Sequence, residues 1–274
     1  MKVVAVFSGG GAKAAAHVGA AQALAEAGLA PAHYIGTSFG AVIAAALAYG
    51  TRIEDLTHQL LHPASRSVVA LDWLSFVKGF FADHLLKSAP LEELIARLVP
   101  ARRFDDLKVP LLVTATDLDS GELVVFGAQQ ERAVGLHEAL YASCALPLYY
   151  APAAIDGRRL GDGGLRAVLP LGPARTIPAD LVLAVHVGPG FDEGPPAAKV
   201  NRLMPPPFVR THGTSERIMM AAQVEATIAA WPHDAARLLV VRAVAEREAT
   251  FAVDRLRRYY ESGYRTTKEA LATL

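Results

Sequence analysis

The chain has 274 residues, 52% of them hydrophobic and 20% charged, enough to bury a large core in a single domain spanning 1–274. Its 27 basic and 27 acidic side chains cancel and no basic run stands out, so nucleic acid is excluded as an expected partner. A lone cysteine, Cys144, rules out an internal disulfide and a CxxC metal pair, in keeping with a reducing compartment, and reads as a small core residue.

Met1 to Phe7 is apolar after a basic start, but the run stops at Ser8-Gly9 and reads as a first strand rather than a signal peptide. Gly9-Gly10-Gly11 then opens a helix over Ala12 to Ala27 that ends at Gly28. A second strand, Ala32 to Ile35, meets Gly36-Thr37-Ser38-Phe39-Gly40 and an uncharged, alanine-rich helix from Ala41 to Ala48. Two successive strand-loop-helix units predict a parallel sheet whose loops gather at one edge. The pentapeptide matches G-x-S-x-G: glycines on both flanks permit a sharp strand-to-helix elbow with Ser38 at its tip. On its own, such a turn with a capping serine is equally consistent with structure alone.

Residues 51 to about 103 read as helical, with Trp73, Phe76, Val77, Phe80 and Phe81 spaced along one face. That stripe is expected to be core, with a lid or acyl-contacting surface as the alternative. Val109 to Asp117 and Glu122 to Phe126 form a hairpin, Glu138 to Ala145 a helix stopped by Pro147, and Asp156-Gly157 a second hairpin turn. The strand returning from that turn ends in Asp162-Gly163-Gly164, and Leu181 to Val187 reads as a doubly covered strand. The Pro- and Gly-rich stretch 188–213 predicts a long mobile loop, followed by a helix from Ser215, a strand at Leu238 to Val241 and a last helix from Val253. No apolar stretch approaches the ~20 residues a bilayer span requires, so the chain is expected to be cytoplasmic or held peripherally at a membrane.

Acyl transfer needs a nucleophile, a base and donors for an oxyanion. Ser38 offers the hydroxyl and Asp162 the carboxylate, while Gly10, Gly11 and Ala12 offer successive backbone amides at a helix N-terminus. An Asp-Gly-Gly turn alone is more often structural. Together these segments resemble the patatin-like phospholipase family, in its bacterial type: serine lipid acyl hydrolases with a Ser-Asp dyad. The likeness extends to Phe104-Asp105-Asp106-Leu107, Thr116 through Glu122, and Ala142-Ser143-Cys144-Ala145-Leu146-Pro147. The resemblance implies a three-layer α/β/α fold with a mostly parallel sheet and an acyl-enzyme on Ser38. It also implies Asp162 as base, an oxyanion hole at Gly10, Gly11 and Ala12, a lipid or ester substrate, and no metal or organic cofactor.

The chain departs from that family in carrying Lys13-Ala14 where an arginine and glycine are usual, and in lacking an asparagine between Asp162 and Pro170. Those departures motivate the alternative of a catalytically weak lipid-binding or regulatory relative. A dinucleotide site at Gly9-x-Gly11-x-x-Ala14 is disfavoured because no acid closes the second strand, and the P-loop spacing is absent. His186, His212 and His233 follow Asp162 in the order of a Ser-Asp-His triad, yet each has a blander structural reading, as does His17 in bracing the glycine loop.

Overall fold

Five apolar residues in a row, Val3–Phe7, form β1, and all five are buried. Val3, Ala5 and Phe7 join one hydrophobic cluster and Val4 and Val6 another, so the strand is covered on both faces. The computed structural model describes residues 1–61, 84–127, 133–194, 207–247 and 252–274. Within them β1 joins β2 (Pro31–Thr37), β3 (Leu111–Asp117), β4 (Leu123–Phe126), β5 (Ala153–Ile155), β6 (Arg158–Asp162), β7 (Leu181–His186) and β8 (Arg237–Arg242) in one sheet. The path runs β5-β6-β3-β2-β1-β7-β8, with β4 also on β3. Strands β8, β7, β1, β2 and β3 are mutually parallel, whereas β4 and β6 run antiparallel to β3, and β5 to β6.

One face carries α1 (Ala15–Glu26), α2 (Phe39–Tyr49), α3 (Ile53–Leu61), α4 (Ala89–Leu98), α5 (Leu136–Cys144) and α9 (Leu256–Leu271), whose buried side chains share a cluster with Val3, Ala5 and Phe7. The other carries α6 (Gly164–Ala167), α7 (Leu171–Ala174) and α8 (Pro207–Ala229), through Val168, Leu171, Ala174 and Val224. The expected three-layer α/β/α arrangement with a mostly parallel sheet is therefore present.

The last helix is held by close approach of backbones. A Cβ on Gly19 of α1 would fall on the carbonyl oxygen of Tyr260, and one on Gly263 of α9 on that of Ala16. Two glycines facing each other let α9 lie against α1 and bury Tyr259, which is 1% exposed.

One expectation changes and another is only partly within view. Residues 207–213 belong to the helix described over Pro207–Ala229, not to a loop, and residues 195–206 of the expected mobile stretch lie outside the described residues. Within 51–103, α3 and α4 occupy part of the helical region, and the aromatic stripe from Trp73 to Phe81 lies outside the described residues. No helix among the described residues is long and apolar enough to cross a membrane.

Candidate active site

The site is built where the parallel strands end. β2 runs into Ser38, which takes φ 54 and ψ −138 before α2 begins at Phe39. A non-glycine residue with positive φ costs on the order of 1–3 kcal/mol, so the surrounding packing must impose it. The flanking glycines show how: a Cβ on Gly36 would strike the backbone of Ala41, and one on Gly40 the carbonyl of Ser8. Strand, elbow and glycine loop are therefore pressed together, and the hydroxyl stands at the N-terminal end of α2, where the helix dipole favours negative charge.

Beneath the elbow a buried hydroxyl ladder fixes its height. Thr37 Oγ1 lies 2.6 Å from Thr114 Oγ1 and donates to the Ala167 carbonyl at 2.7 Å. The Ser38 amide donates to Ser143 Oγ at 2.8 Å, which fixes the backbone of the proposed nucleophile from the end of α5.

The glycine loop follows β1. Gly9 lies against the elbow, its position such that a Cβ there would sit 3.3 Å from Ser38 Cβ. Ser8 anchors the loop through its amide to Val185 at 3.1 Å and through its hydroxyl, which accepts the Val187 amide at 2.8 Å. His17 Nε2 donates to the Ser8 carbonyl at 2.9 Å and its ring stacks on Phe7, with centroids 4.5 Å apart. Burial pushes His17 down to about 4, so the imidazole is neutral and braces the loop as expected. Among the described residues, no acceptor meets the amides of Gly10, Gly11 and Ala12. Three orphan donors at a 3-10 turn, Gly11–Ala14, are what an incoming anionic oxygen needs.

Asp162 is brought in by a tight hairpin. Asp156 and Gly157 both take positive φ, 50 and 74, as a two-residue turn of the I′ kind requires. This sets β6 against β3 with Asp162 opposite Ala115. The carboxyl is 4% exposed and accepts the Gly164 amide at 2.7 Å. Burial lifts its pKa to about 6, while the neighbouring Ser38 side chain and the Gly164 amide hold it back from rising further. Glu216 on α8 is raised to about 7 by its own burial and by the charge of Asp162.

Ser38, Asp162, Gly11 and Ala12 line one cavity of about 90 Å³ whose other walls include Leu60, Leu91, Leu94, Leu146 and Tyr150. Cys144 is buried in the core cluster, as expected, and also lines this cavity. Burial and the neighbouring Asp162 push its thiol well above the usual value, so it stays protonated beside Ser38. Ser143 and Cys144 close α5 just before Pro147; in the sequence the segment is visible only as part of the likeness to the family, with no residue pattern that ties it to Ser38.

The remaining candidates fall elsewhere. His186 is buried at the end of β7 and, through burial and the Arg242 and Lys13 charges, is pushed down to about 3. His212 lies in α8 and His233 just beyond it; none of the three lines the cavity. Lys13 turns away from solvent, its ammonium donating to the Glu246 carbonyl at 3.1 Å and lying 3.6 Å from Glu193. Among the described residues no group of His, Cys, Asp and Glu is arranged to hold a metal.

The family model for patatin-like phospholipases matches residues 5–175 of this chain. An uncharacterized NTE family protein of Mycobacterium tuberculosis is 31% identical over 194 residues, which cover 71% of this chain and 51% of that one. The uncharacterized protein YqhO of Bacillus subtilis is 32% identical over 193 residues, 62% of this chain and 66% of its own. Patatin-like phospholipase domain-containing protein 7 of Rattus norvegicus is 31% identical over 67% of this chain but only 13% of its own. Among solved structures, VipD from Legionella pneumophila aligns with 99% of this chain and 67% of that one at 15% identity and a TM-score of 0.49. The chain thus spans about half the length of the mycobacterial relatives it matches. With a match over most of its length and the family's glycine loop, serine elbow and Asp-Gly-Gly turn all inside the matched residues, this chain belongs to the patatin-like phospholipase family.

Proposed function

We propose that the chain is a lipid acyl hydrolase of the phospholipase A, lysophospholipase or esterase type, cleaving carboxylic esters through a Ser38–Asp162 dyad. The observation that carries this reading is the convergence of Ser38, at the strained elbow, and a buried Asp162 carboxyl on one apolar cavity that Gly11 and Ala12 also line. With its pKa near 6, Asp162 is ionised at neutral pH yet far more basic than an exposed aspartate.

In the first half-reaction Ser38 Oγ attacks the ester carbonyl as Asp162 takes its proton. The amides of Gly10, Gly11 and Ala12 receive the negative charge that develops on the carbonyl oxygen. Collapse of the tetrahedral intermediate breaks the ester C–O bond, and Asp162 returns the proton to the departing alkoxide. Water then repeats the cycle on the acyl-enzyme with Asp162 as base, releasing the fatty acid and restoring the Ser38 hydroxyl. The leucine-lined walls favour an acyl chain, which supports a lipid ester as substrate and peripheral contact with a membrane as its source.

Steady-state hydrolysis of short-chain p-nitrophenyl esters tests the assignment. Ser38→Ala and Asp162→Asn are expected to lose roughly 10³- to 10⁶-fold in kcat, by analogy with other nucleophile and base knockouts. Near-normal rates in Asp162→Asn would remove Asp162 as the base. A folded wild-type protein that neither turns over esters nor takes a fluorophosphonate would favour a lipid-binding or regulatory role instead.

A further inference from the structure

The short turn after Asp162 is a piece of backbone touched by every part of the site. Its Gly164 amide donates to Asp162 Oδ1 at 2.7 Å. Its Ala167 carbonyl accepts Thr37 Oγ1, immediately before Ser38, at 2.7 Å. Its Val168 carbonyl accepts the Gly9 amide, in the glycine loop, at 2.9 Å. A shift of this turn therefore displaces base, elbow and oxyanion donors relative to one another. Yet α6, Gly164–Ala167, is a single helical turn, too short to hold its own shape.

An anchor comes from α8. The side-chain amide of Gln223 donates through Nε2 to the Leu165 carbonyl at 3.1 Å and accepts the Val168 amide on Oε1 at 2.7 Å. One primary amide thus bridges both ends of the turn, donor to carbonyl and acceptor to N–H, a pairing that no carboxylate or hydrocarbon of the same length reproduces. The neighbours along α8 point the same way. Met220 reaches the Gly164 position, where a Cβ would meet its Cε at 3.4 Å, and Glu216 responds to the charge of Asp162. Residues 216, 220 and 223 fall on one face at helical spacing, so α8 lies along the Asp162 turn.

We propose that Gln223 is a positioning residue for the ester-cleaving site: its amide clips the turn after Asp162 and, through Ala167 and Val168, sets the nucleophile elbow and glycine loop against the base. The proposal rests on the dyad reading above. It assigns Gln223 no contact with substrate. Docking of α8 does not depend on the clip, because Val224 is buried in the core on that face of the sheet.

Gln223→Met keeps the length of the side chain and removes both hydrogen bonds; Gln223→Ala removes the side chain as well. Both are compared with wild type, with Ser38→Ala as the blank, using p-nitrophenyl butyrate turnover, thermal melting and hydrogen exchange of peptides covering Gly9 and Val168. A sub-ångström misplacement of the dyad is expected to lower kcat roughly 10- to 100-fold in Gln223→Met, with KM within about twofold of wild type. Exchange at Gly9 and Val168 should quicken while β1 and β7 stay protected. Wild-type kcat in Gln223→Met, or a loss that disappears when rates are normalised to folded protein, overturns the proposal. If wild type itself neither hydrolyses the ester nor labels, the dyad reading fails separately, and unchanged exchange at Gly9 in Gln223→Met still refutes the clip.

Discussion

Replacing Asp162 by Asn should make the protein more stable while abolishing its proposed chemistry. Burial raises the carboxyl from its ordinary 3.8 to about 6, so the folded state holds the proton more tightly than the unfolded chain does. Between those two pH values the folded form binds more protons, and stability falls as pH rises. Above about 6 the penalty is complete, and a rise from 3.8 to about 6 corresponds to about 3 kcal/mol. Asn keeps the shape and can still accept the Gly164 amide on its side-chain oxygen, but it carries no charge to desolvate. For a chain of this size about 3 kcal/mol corresponds to a rise of roughly 6–12 °C in melting temperature. Urea melts of both proteins at pH 4 and pH 8 read the effect directly. The gap between variant and wild type should be small at pH 4 and near its full size at pH 8. Equal stabilities at pH 8, or a gap that ignores pH, would refute the claim that a buried, ionised Asp162 is carried at a cost to the fold.

Four further outcomes can be checked one variant at a time. Gly263→Leu places a side chain on the Ala16 carbonyl and should cost at least about 1–3 kcal/mol in chemical denaturation; a wild-type midpoint would contradict the α1–α9 packing. Glu193→Gln removes the carboxylate 3.6 Å from each of Lys13, Arg217 and Arg242, and breaking such a buried cluster is expected to cost about 3–5 kcal/mol. In the same variant Lys13, already lowered to about 8 mainly by burial, should titrate lower still, since Glu193 is what holds it up; NMR of the lysine side chain would show an unchanged value if that pairing is wrong. Single replacement of His186, His212 or His233 by Gln should leave most esterase activity, and a loss from any one on the scale of Ser38→Ala would favour a triad.

The parallel core and the corners at its edge were legible because each carries local chemistry. The apolar run of β1, the glycines flanking Ser38 and the Asp156-Gly157 turn are each tied to one backbone geometry, and the structure places them as read. Less legible were parts whose role depends on a distant partner. The helix covering 207–213 reads as loop in the sequence because prolines and glycines crowd that stretch, and the packing of α8 against the sheet is not written in its local composition. Ser143 and Cys144 gain their places beside Ser38 only when α5 lies against the end of β2, and neither residue carries a spacing that signals this. Gln223 is silent in sequence for the same reason: its two partners are 58 and 55 residues away. Lys13, visible as a departure from the family pattern, turns out to be neutralised by Glu193 from a loop whose composition gave no hint of a buried acid.

The central claim is that Ser38 carries the acyl group. Rapid quenching of the reaction with a p-nitrophenyl ester, followed by mass spectrometry of the Ser38 peptide, tests it most directly. A burst of p-nitrophenol should match an acyl adduct on Ser38 and be absent from Ser38→Ala. An adduct on another residue, or undiminished turnover by Ser38→Ala, would contradict it.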